Sequence, residues 1–350
     1  MFRVYLLLLC SFVLSYTLYA STIILCRRFG LLDIPDKRKR HSAPVPIGGG
    51  AGFIITLIVS VILLYFLLDS YDFLLNVVVA LGAFLAIISF IDDIRDLGIT
   101  IRLLCHSAAA FITTFLLLDY YLCMPQNDSY VLSAYNNMSH WIMLTLIAFF
   151  ITGFLNIYNF MDGIDGLTGV QTIHIFGNCA LLLAINQAFN AYFYTAIIIC
   201  VISISFLVFN WHPARLFIGD SGSIPIGFFA AFYLVMLAFS GYVLSALLIP
   251  LYYFLDGGVT LLSRIIRGDK FWLPHQTHFF QKAMKHHQKH SIIVMKIIIF
   301  NIFITILNCI YLTSKATVPW QIVILSAAIG VGIFLLYNFS HKSKKTRLAV

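Results

Sequence analysis

Asn156-Ile157-Tyr158-Asn159-Phe160-Met161-Asp162-Gly163-Ile164-Asp165-Gly166-Leu167-Thr168-Gly169 lies between two long apolar runs, one beginning near Trp141 and the other near Val170. Two carboxylates and two amides therefore sit where a membrane span meets water. Ionised aspartates are expensive in lipid, and such residues normally face a bundle interior or an aqueous cavity. The stretch reads as the floor of a site at a membrane surface. Asp162 and Asp165 are three apart, which puts them on the same side if the segment is helical. Carboxylate and amide oxygens beside bare glycine backbone suit a hard cation such as Mg²⁺ with a diphosphate.

The flanking sequence carries the same signal. The chain has 350 residues, of which 61% are hydrophobic and 10% charged, so it is not a soluble domain. Runs of about 20 apolar residues match the thickness of a bilayer. Eleven are expected: 4–26, 47–68, 73–91, 103–122, 138–158, 169–188, 192–209, 224–239, 242–262, 291–312 and 320–339. The first is too long for a cleaved leader and has its positive cluster after the apolar run, so it reads as a retained span. The expected fold is an all-α polytopic membrane protein of about 11 transmembrane helices. It forms one integral-membrane catalytic domain over 1–340, followed by a basic tail at 341–350. The seven cysteines show no metal-ligand or disulfide spacing and read as small buried hydrophobes.

A net charge of +8 could suggest a nucleic-acid partner, but the Lys and Arg residues cluster in short loops, 27–46 and 263–290, and in the tail. That pattern points to topology and anionic headgroups. With an odd number of spans these loops share one side, which puts the N-terminus outside and the C-terminus in the cytoplasm. The acidic motifs in loops 92–102, 159–168 and 210–223 fall on that same cytoplasmic side.

Asp92-Asp93-Ile94-Arg95-Asp96 ends the third run, and adjacent carboxylates at a bilayer edge call for a cation nearby or a retained proton. Arg102 and His106 follow one and two turns into the next helix, where they can face the same cavity. Gly219-Asp220-Ser221-Gly222-Ser223 offers a carboxylate, hydroxyls and free N–H groups at a helix start, a place for metal and phosphate together. The Pro44-Val45-Pro46-Ile47-Gly48-Gly49-Gly50 stretch makes a rigid turn and a close backbone approach. Upstream of it, Arg38 and His41 are candidate phosphate ligands. In the last loop His275 and His278 have i,i+3 spacing. No Cys or close acidic ligand accompanies them, so phosphate or nucleotide contacts are expected of Arg267, His275 and His278 rather than zinc. Asp256 lies inside the ninth run beside Gly257 and Gly258, placed either to orient Arg264 or to join the cavity. A transporter would carry such groups near the midplane. Here only Asp256 is clearly within a run, and the rest gather at one face.

These motifs, in this order and over nearly the whole chain, resemble the polyprenyl-phosphate N-acetylhexosamine-1-phosphate transferases. The resemblance rests on Asp33-x-Pro35…Arg38…His41…Pro44-x-Pro46…Gly49-Gly50, the Asp92-Asp93 pair and the Asn156–Gly166 motif. It continues through Asn210-x-His212-Pro213-Ala214-Arg215-x-Phe217-x-Gly219-Asp220-x-Gly222-Ser223. The pattern His275-x-x-His278-x-Phe280-Gln281 is similar to the form in O-antigen and related surface-glycan initiating enzymes rather than to that of the lipid I-forming enzyme of peptidoglycan synthesis. Gln276 and Ile47 stand where those patterns usually carry Arg.

The resemblance implies transfer of N-acetylhexosamine-1-phosphate from a UDP-sugar to undecaprenyl phosphate, with Mg²⁺ or Mn²⁺, at the cytoplasmic face of a bacterial inner membrane. It implies Asp220 as the main metal ligand, with Asn159 second, and Asp92 or Asp93 placing or deprotonating the lipid phosphate. Asp162 and Asp165 would shape the nucleotide-sugar side. Arg267, His275 and His278 would hold diphosphate or sugar, with Arg215 and Arg38 behind them and Asn156 and Arg264 completing the binding set. The expected partners are undecaprenyl phosphate, a UDP-N-acetylhexosamine and the lipid bilayer, with a homodimer as a compatible assembly and no nucleic acid. Attack could be direct or pass through an Asp-linked intermediate.

Overall fold

The computed structural model describes residues 2–35, 44–69, 71–95, 97–122, 139–269, 276–286, 288–314 and 317–341. Among these residues ten helices are long and apolar enough to cross a bilayer. They are α1 (Phe2–Phe29), α2 (Gly49–Leu68), α3 (Phe73–Arg95), α4 (Ile99–Leu122), α5 (His140–Phe160), α6 (Leu167–Ile185), α7 (Ala191–Asn210), α8 (Asp220–Phe239), α13 (His290–Ser314) and α14 (Val318–Ser340). The protein is an all-α polytopic membrane protein. Its strands, β1 (Leu32–Asp33) and β2 (Val45–Pro46), pair antiparallel with Leu32 opposite Pro46.

The run expected at 242–262 is not one uninterrupted helix. It is a chain of short pieces: α9 (Val243–Leu248), α10 (Leu251–Tyr253), a π-helical turn (Phe254–Gly258) and α11 (Val259–Ile266). Pro250 lacks an N–H, and it falls between α9 and α10. The π turn contains Asp256, Gly257 and Gly258, and such turns often mark functional positions. A short surface helix, α12 (Phe279–Lys285), precedes α13.

Helix α8 is the axis of the bundle. Nearly every residue from Ser221 to Phe239 is buried, and α2, α3, α4, α5, α6 and α9 all pack on it. Small residues on its neighbours let these helices approach, as is usual where lipid supplies no hydrophobic drive between helices. Gly82 of α3 lies under the Phe229 ring, and Gly227 of α8 lies against the backbone of Leu155 in α5. The outer helices α1 and α14 turn most of their apolar surface outward, for example Leu9, Ile24, Ile322 and Phe334. In a membrane that surface faces acyl chains. Of the six described cysteines, Cys26, Cys179 and Cys200 are buried, Cys105 and Cys309 half-buried and Cys10 exposed, and all six are free thiols.

Helix α8 begins at Asp220, four residues before the expected start, so the Asp220–Ser223 stretch forms its first turn. Its entry is set by the proline–glycine turn. Phe217 N–H donates to Pro46 O (2.9 Å), Gly49 N–H to Phe217 O (3.0 Å) and Gly50 N–H to Ile218 O (2.9 Å). A Cβ at Gly50 would lie 2.4 Å from both Gly222 N and Ser221 C. Only glycine lets the start of α2 lie against the start of α8. Ile47, where a positive side chain is usual in the resembled pattern, instead packs its Cγ2 over Gly219.

Candidate active site

One end of the bundle gathers the C-termini of α3 and α5 and the N-termini of α4 and α8. Asp92, in the last turn of α3, accepts from Leu97 N–H (2.8 Å) and pairs with Arg102 Nη1 of α4 (2.9 Å). The same Arg102 Nη1 lies 3.8 Å from Asp220 Oδ2. Asp93 faces the charges of both Asp220 and Asp92. Gly219 takes φ 70°, a left-handed conformation that favours glycine, and delivers Asp220 to the first turn of α8. Asn159 at the end of α5 hydrogen-bonds Asp220, and its Oδ1 accepts from Ser223 Oγ (2.5 Å). Asp162 accepts from the Thr168 hydroxyl and faces Asp220. Asp92, Asp93, Asp162, Asp220 and Asn159 thus share one cleft with Arg102. Asn156 turns its amide back to Thr152 O (2.7 Å) and borders His106.

Asp220 and Asn159 offer the oxygen donors that a hard divalent ion takes, with the other carboxylates around them and the Arg102 guanidinium as the compensating charge between Asp92 and Asp220. Asp220 keeps 35% of its side chain exposed, so the cleft is open to solutes. Burial, helped by the negative charges of Asp220 and Asp165 and opposed by the Thr168 hydroxyl, pushes the Asp162 carboxyl up to about 7 from its usual 3.8. A carboxyl with a folded value above its unfolded one holds its proton in the folded state. Its contribution to stability is therefore intact at low pH and is lost as pH rises from about 4 to about 7. Without divalent cations, the wild type should lose thermal stability between about pH 4 and pH 7 relative to Asp162→Asn, as read by thermal unfolding in detergent. Parallel pH profiles would contradict that environment for Asp162.

Asp165, expected on the same side as Asp162 if the segment were helical, makes its hydrogen bonds with other partners than the cleft residues. The residues after Phe160 form a turn rather than a helix, and Gly166 at φ 83° swings the chain into α6. The Asp165 charge still reaches Asp162, but its carboxylate makes its contacts elsewhere. Asp165 lies 2.6 Å from His212 Nδ1 and 3.4 Å from His290 Nδ1, and it accepts from Ala214 N–H (3.2 Å). Burial would raise its pKa, but His290 and His212 hold the carboxyl below the usual range.

The basic residues separate in the same way. His278, expected on a diphosphate, is buried to 1% exposure with its Nδ1 3.3 Å from Asp256 Oδ1. Asp256 accepts from Phe279 N–H (2.8 Å), Phe280 N–H (3.0 Å) and Tyr252 OH (3.1 Å), so the π turn anchors the first turn of α12. Phe280, delivered by that anchor, packs its ring on Gly163 of the Asp162–Asp165 turn. His278 is thus a support for the loop over the site. Arg215 turns away, with Nη2 donating to Val208 O (2.8 Å) and its guanidinium over the Phe209 ring. Arg264 reaches to 4.0 Å from Asp269. Arg267 closes α11 as an exposed residue. Arg38, His41 and His275 lie outside the described residues, as do tail residues 342–350.

The sequence placed Arg102 only loosely, yet it bridges the two helix ends that carry Asp92 and Asp220. Its signal was spacing: a cation one turn into the helix after an Asp pair. Thr168 and Ser223, which hold Asp162 and Asn159, had no signal of their own beyond the motifs around them. His290 lies 125 positions from Asp165 and could not have been paired with it.

Residues 74–238 match the family described as glycosyl transferase family 4. That segment runs from α3 to α8, short of each by one terminal residue, and contains every residue of the acidic cleft. The chain is 22% identical over 326 residues to a probable undecaprenyl-phosphate N-acetylglucosaminyl 1-phosphate transferase of Bacillus subtilis, covering 89% of this chain and 82% of that protein. It is 29% identical over 232 residues to a phospho-N-acetylmuramoyl-pentapeptide-transferase of Halalkalibacterium halodurans, covering 63% and 70%. A protein of the latter name from Wolbachia pipientis is 29% identical over 296 residues, covering 79% and 87%.

Proposed function

We propose that the chain is a member of glycosyl transferase family 4 and that it moves an N-acetylhexosamine-1-phosphate unit from a UDP-sugar to undecaprenyl phosphate. The products are sugar-diphospho-undecaprenol and UMP, the first membrane-bound intermediate of a cell-surface glycan. One observation carries the reading: Asp92, Asp93 and Asp220 gather around Arg102, with Asp162 facing Asp220, in one open cleft at the end of a lipid-embedded bundle.

In the proposed reaction an oxygen of the lipid phosphate attacks the β-phosphorus of the sugar nucleotide. The bond from that phosphorus to the bridging oxygen breaks, and UMP leaves with the oxygen and the electron pair. The acceptor phosphate is already largely ionised near neutral pH, so Asp92 and Asp93 serve to position it rather than to deprotonate it. Arg102, held by Asp92, would offer its remaining guanidinium N–H groups to phosphate oxygens. Asp220 and Asn159, with Asp162 beside them, would hold Mg²⁺, which when bound neutralises charge developing on the diphosphate. The Phe280–Gly163 contact lets the last loop shape the sugar side. The lysine- and arginine-rich loops support a cytoplasmic orientation for this face of a multi-pass bacterial membrane protein, on the side where the soluble nucleotide arrives.

A second reading, transfer of phospho-N-acetylmuramoyl-pentapeptide, is favoured by the name shared by the relatives at 29% identity. The two readings part on the donor. Purified protein with Mg²⁺, undecaprenyl phosphate and a panel of UDP-N-acetylhexosamines plus UDP-N-acetylmuramoyl-pentapeptide should release UMP. The mass of the lipid product should correspond to a small N-acetylhexosamine. Product from the pentapeptide donor alone selects the second reading, and no UMP from any donor rejects both.

A further inference from the structure

We propose that Asp165, His212 and His290 form a second metal site, separate from the acidic cleft, that takes an imidazole-preferring divalent ion such as Zn²⁺. The three side chains come from three segments: the turn after α5, the link between α7 and α8, and the first residue of α13. A carboxylate oxygen and two Nδ1 atoms lie within 4.8 Å of one another. The Nδ1 atoms of His212 and His290 aim at the same oxygen, Oδ2 of Asp165, at 2.6 and 3.4 Å. Ala214 N–H reaches that oxygen too, at 3.2 Å.

His212 Nδ1 and Ala214 N–H already supply that oxygen with two hydrogen-bond partners. His290 adds a conflict of its own. The backbone N–H of Asp165 points at His290 Nδ1 (3.4 Å), which makes that nitrogen an acceptor. An acceptor nitrogen then faces an anionic oxygen, and a cation between them resolves the arrangement. Zinc bonds of roughly 2.0–2.2 Å place tetrahedral ligand atoms about 3.3 Å apart. The Asp165–His290 spacing already matches, and the His212 ring, 37% exposed, has room to swing outward from Asp165. Water would complete the shell from the exposed side.

The ligand chemistry separates the two sites. Two imidazoles and one carboxylate favour Zn²⁺, Co²⁺ or Ni²⁺, whereas an all-oxygen set favours Mg²⁺. A metal here would tie α13 and the α7–α8 link to the turn carrying Asp162, and so fix one wall of the acidic cleft.

The test uses tag-free, chelator-treated protein in detergent with Mg²⁺ in excess, titrated with Co²⁺. One equivalent should bind and give the visible absorption of four- or five-coordinate Co²⁺ with nitrogen ligands, displaced by Zn²⁺. His212→Ala and His290→Ala should each weaken binding at least about tenfold, the effect already seen when only an outer-shell partner of a metal ligand is lost. His286→Ala, remote from Asp165, should bind as wild type. Size exclusion and circular dichroism identify variants that fail to fold, and the exposed His212 is the position at which substitution is tolerated best. Absence of the Co²⁺ band, or its retention in folded His212→Ala, overturns the proposal and leaves Asp165 as a charge partner for two histidines.

Discussion

Asp220→Asn is expected to lower turnover by about 10²–10³-fold, the range seen when one preorganised electrostatic contact to developing charge is removed. Asparagine keeps the volume of the side chain and its place in the first turn of α8, so the loss isolates the charge. Asp220 is the carboxylate that Asn159, Arg102, Asp93 and Asp162 all face. Without it no residue would link the α5 side of the cleft to the α3–α4 side. The same change relieves like-charge repulsion on Asp93 and Asp162. Thermal stability without divalent cations should therefore hold or rise while UMP release falls. Turnover within about threefold of wild type in a folded variant would remove Asp220 from the metal-binding set, because the contact in question is worth much more.

Gly50→Ala is expected to be nearly as damaging although residue 50 touches no substrate. The added Cβ would sit 2.4 Å from Gly222 N and Ser221 C and 2.6 Å from Ser221 O. These are backbone atoms at the start of a buried helix, with no flexible side chain to move aside. Overpacking costs about 1–3 kcal/mol. Relief of the clash must push α2 away from α8 or shift the Gly219–Gly222 turn that carries Asp220. A displacement of about 1 Å at a reacting centre can cost roughly 10²-fold in rate. Gly153→Ala is the matched control. Residue 153 is also a glycine in a spanning helix, but nothing lies within 4 Å of its Cβ position. It should show wild-type turnover with unchanged or slightly higher stability, since alanine is favoured over glycine in a helix by about 1 kcal/mol. Equal activity of the two variants, measured at matched protein levels, would contradict the role given to the α2–α8 approach.

The membrane fold was legible because its physics is local. Each apolar run satisfies its own backbone and needs only length and composition to be recognised. The spans expected from sequence coincide with the ten long helices to within a few residues, except at 242–262. There Pro250 and the π turn break the run, and the amide groups that Asp256 holds lie more than 20 residues further on. The proline–glycine turn was legible as a close approach, but its partner, the start of α8, was not. Contact between two segments so far apart in the chain leaves no mark in either.

The same division runs through the candidate site. The motifs around Asp92, Asp162 and Asp220 announced themselves as charge at span ends, and Asp92, Asp93, Asp162 and Asp220 meet. Asp165 and His278 do not follow their motifs, each for a tertiary reason. The helix ends at Phe160, so the phase that would have aligned Asp165 with Asp162 is already lost, and His212 and His290 then claim the Asp165 carboxylate. Burial against Asp256 takes His278 out of reach of a soluble diphosphate. Spacing rules describe one element at a time, whereas these side chains are placed by contacts between elements.

The most direct test is electron paramagnetic resonance of Mn²⁺, substituted for Mg²⁺, bound to the protein with a UDP-N-acetylhexosamine. The expected result is a tightly bound ion with phosphorus hyperfine coupling from the diphosphate, present in wild type and lost in Asp220→Asn. Mn²⁺ that binds both proteins alike, or a bound ion that shows no phosphorus coupling when the nucleotide is saturating, would contradict a cleft in which Asp220 joins a divalent cation to a diphosphate.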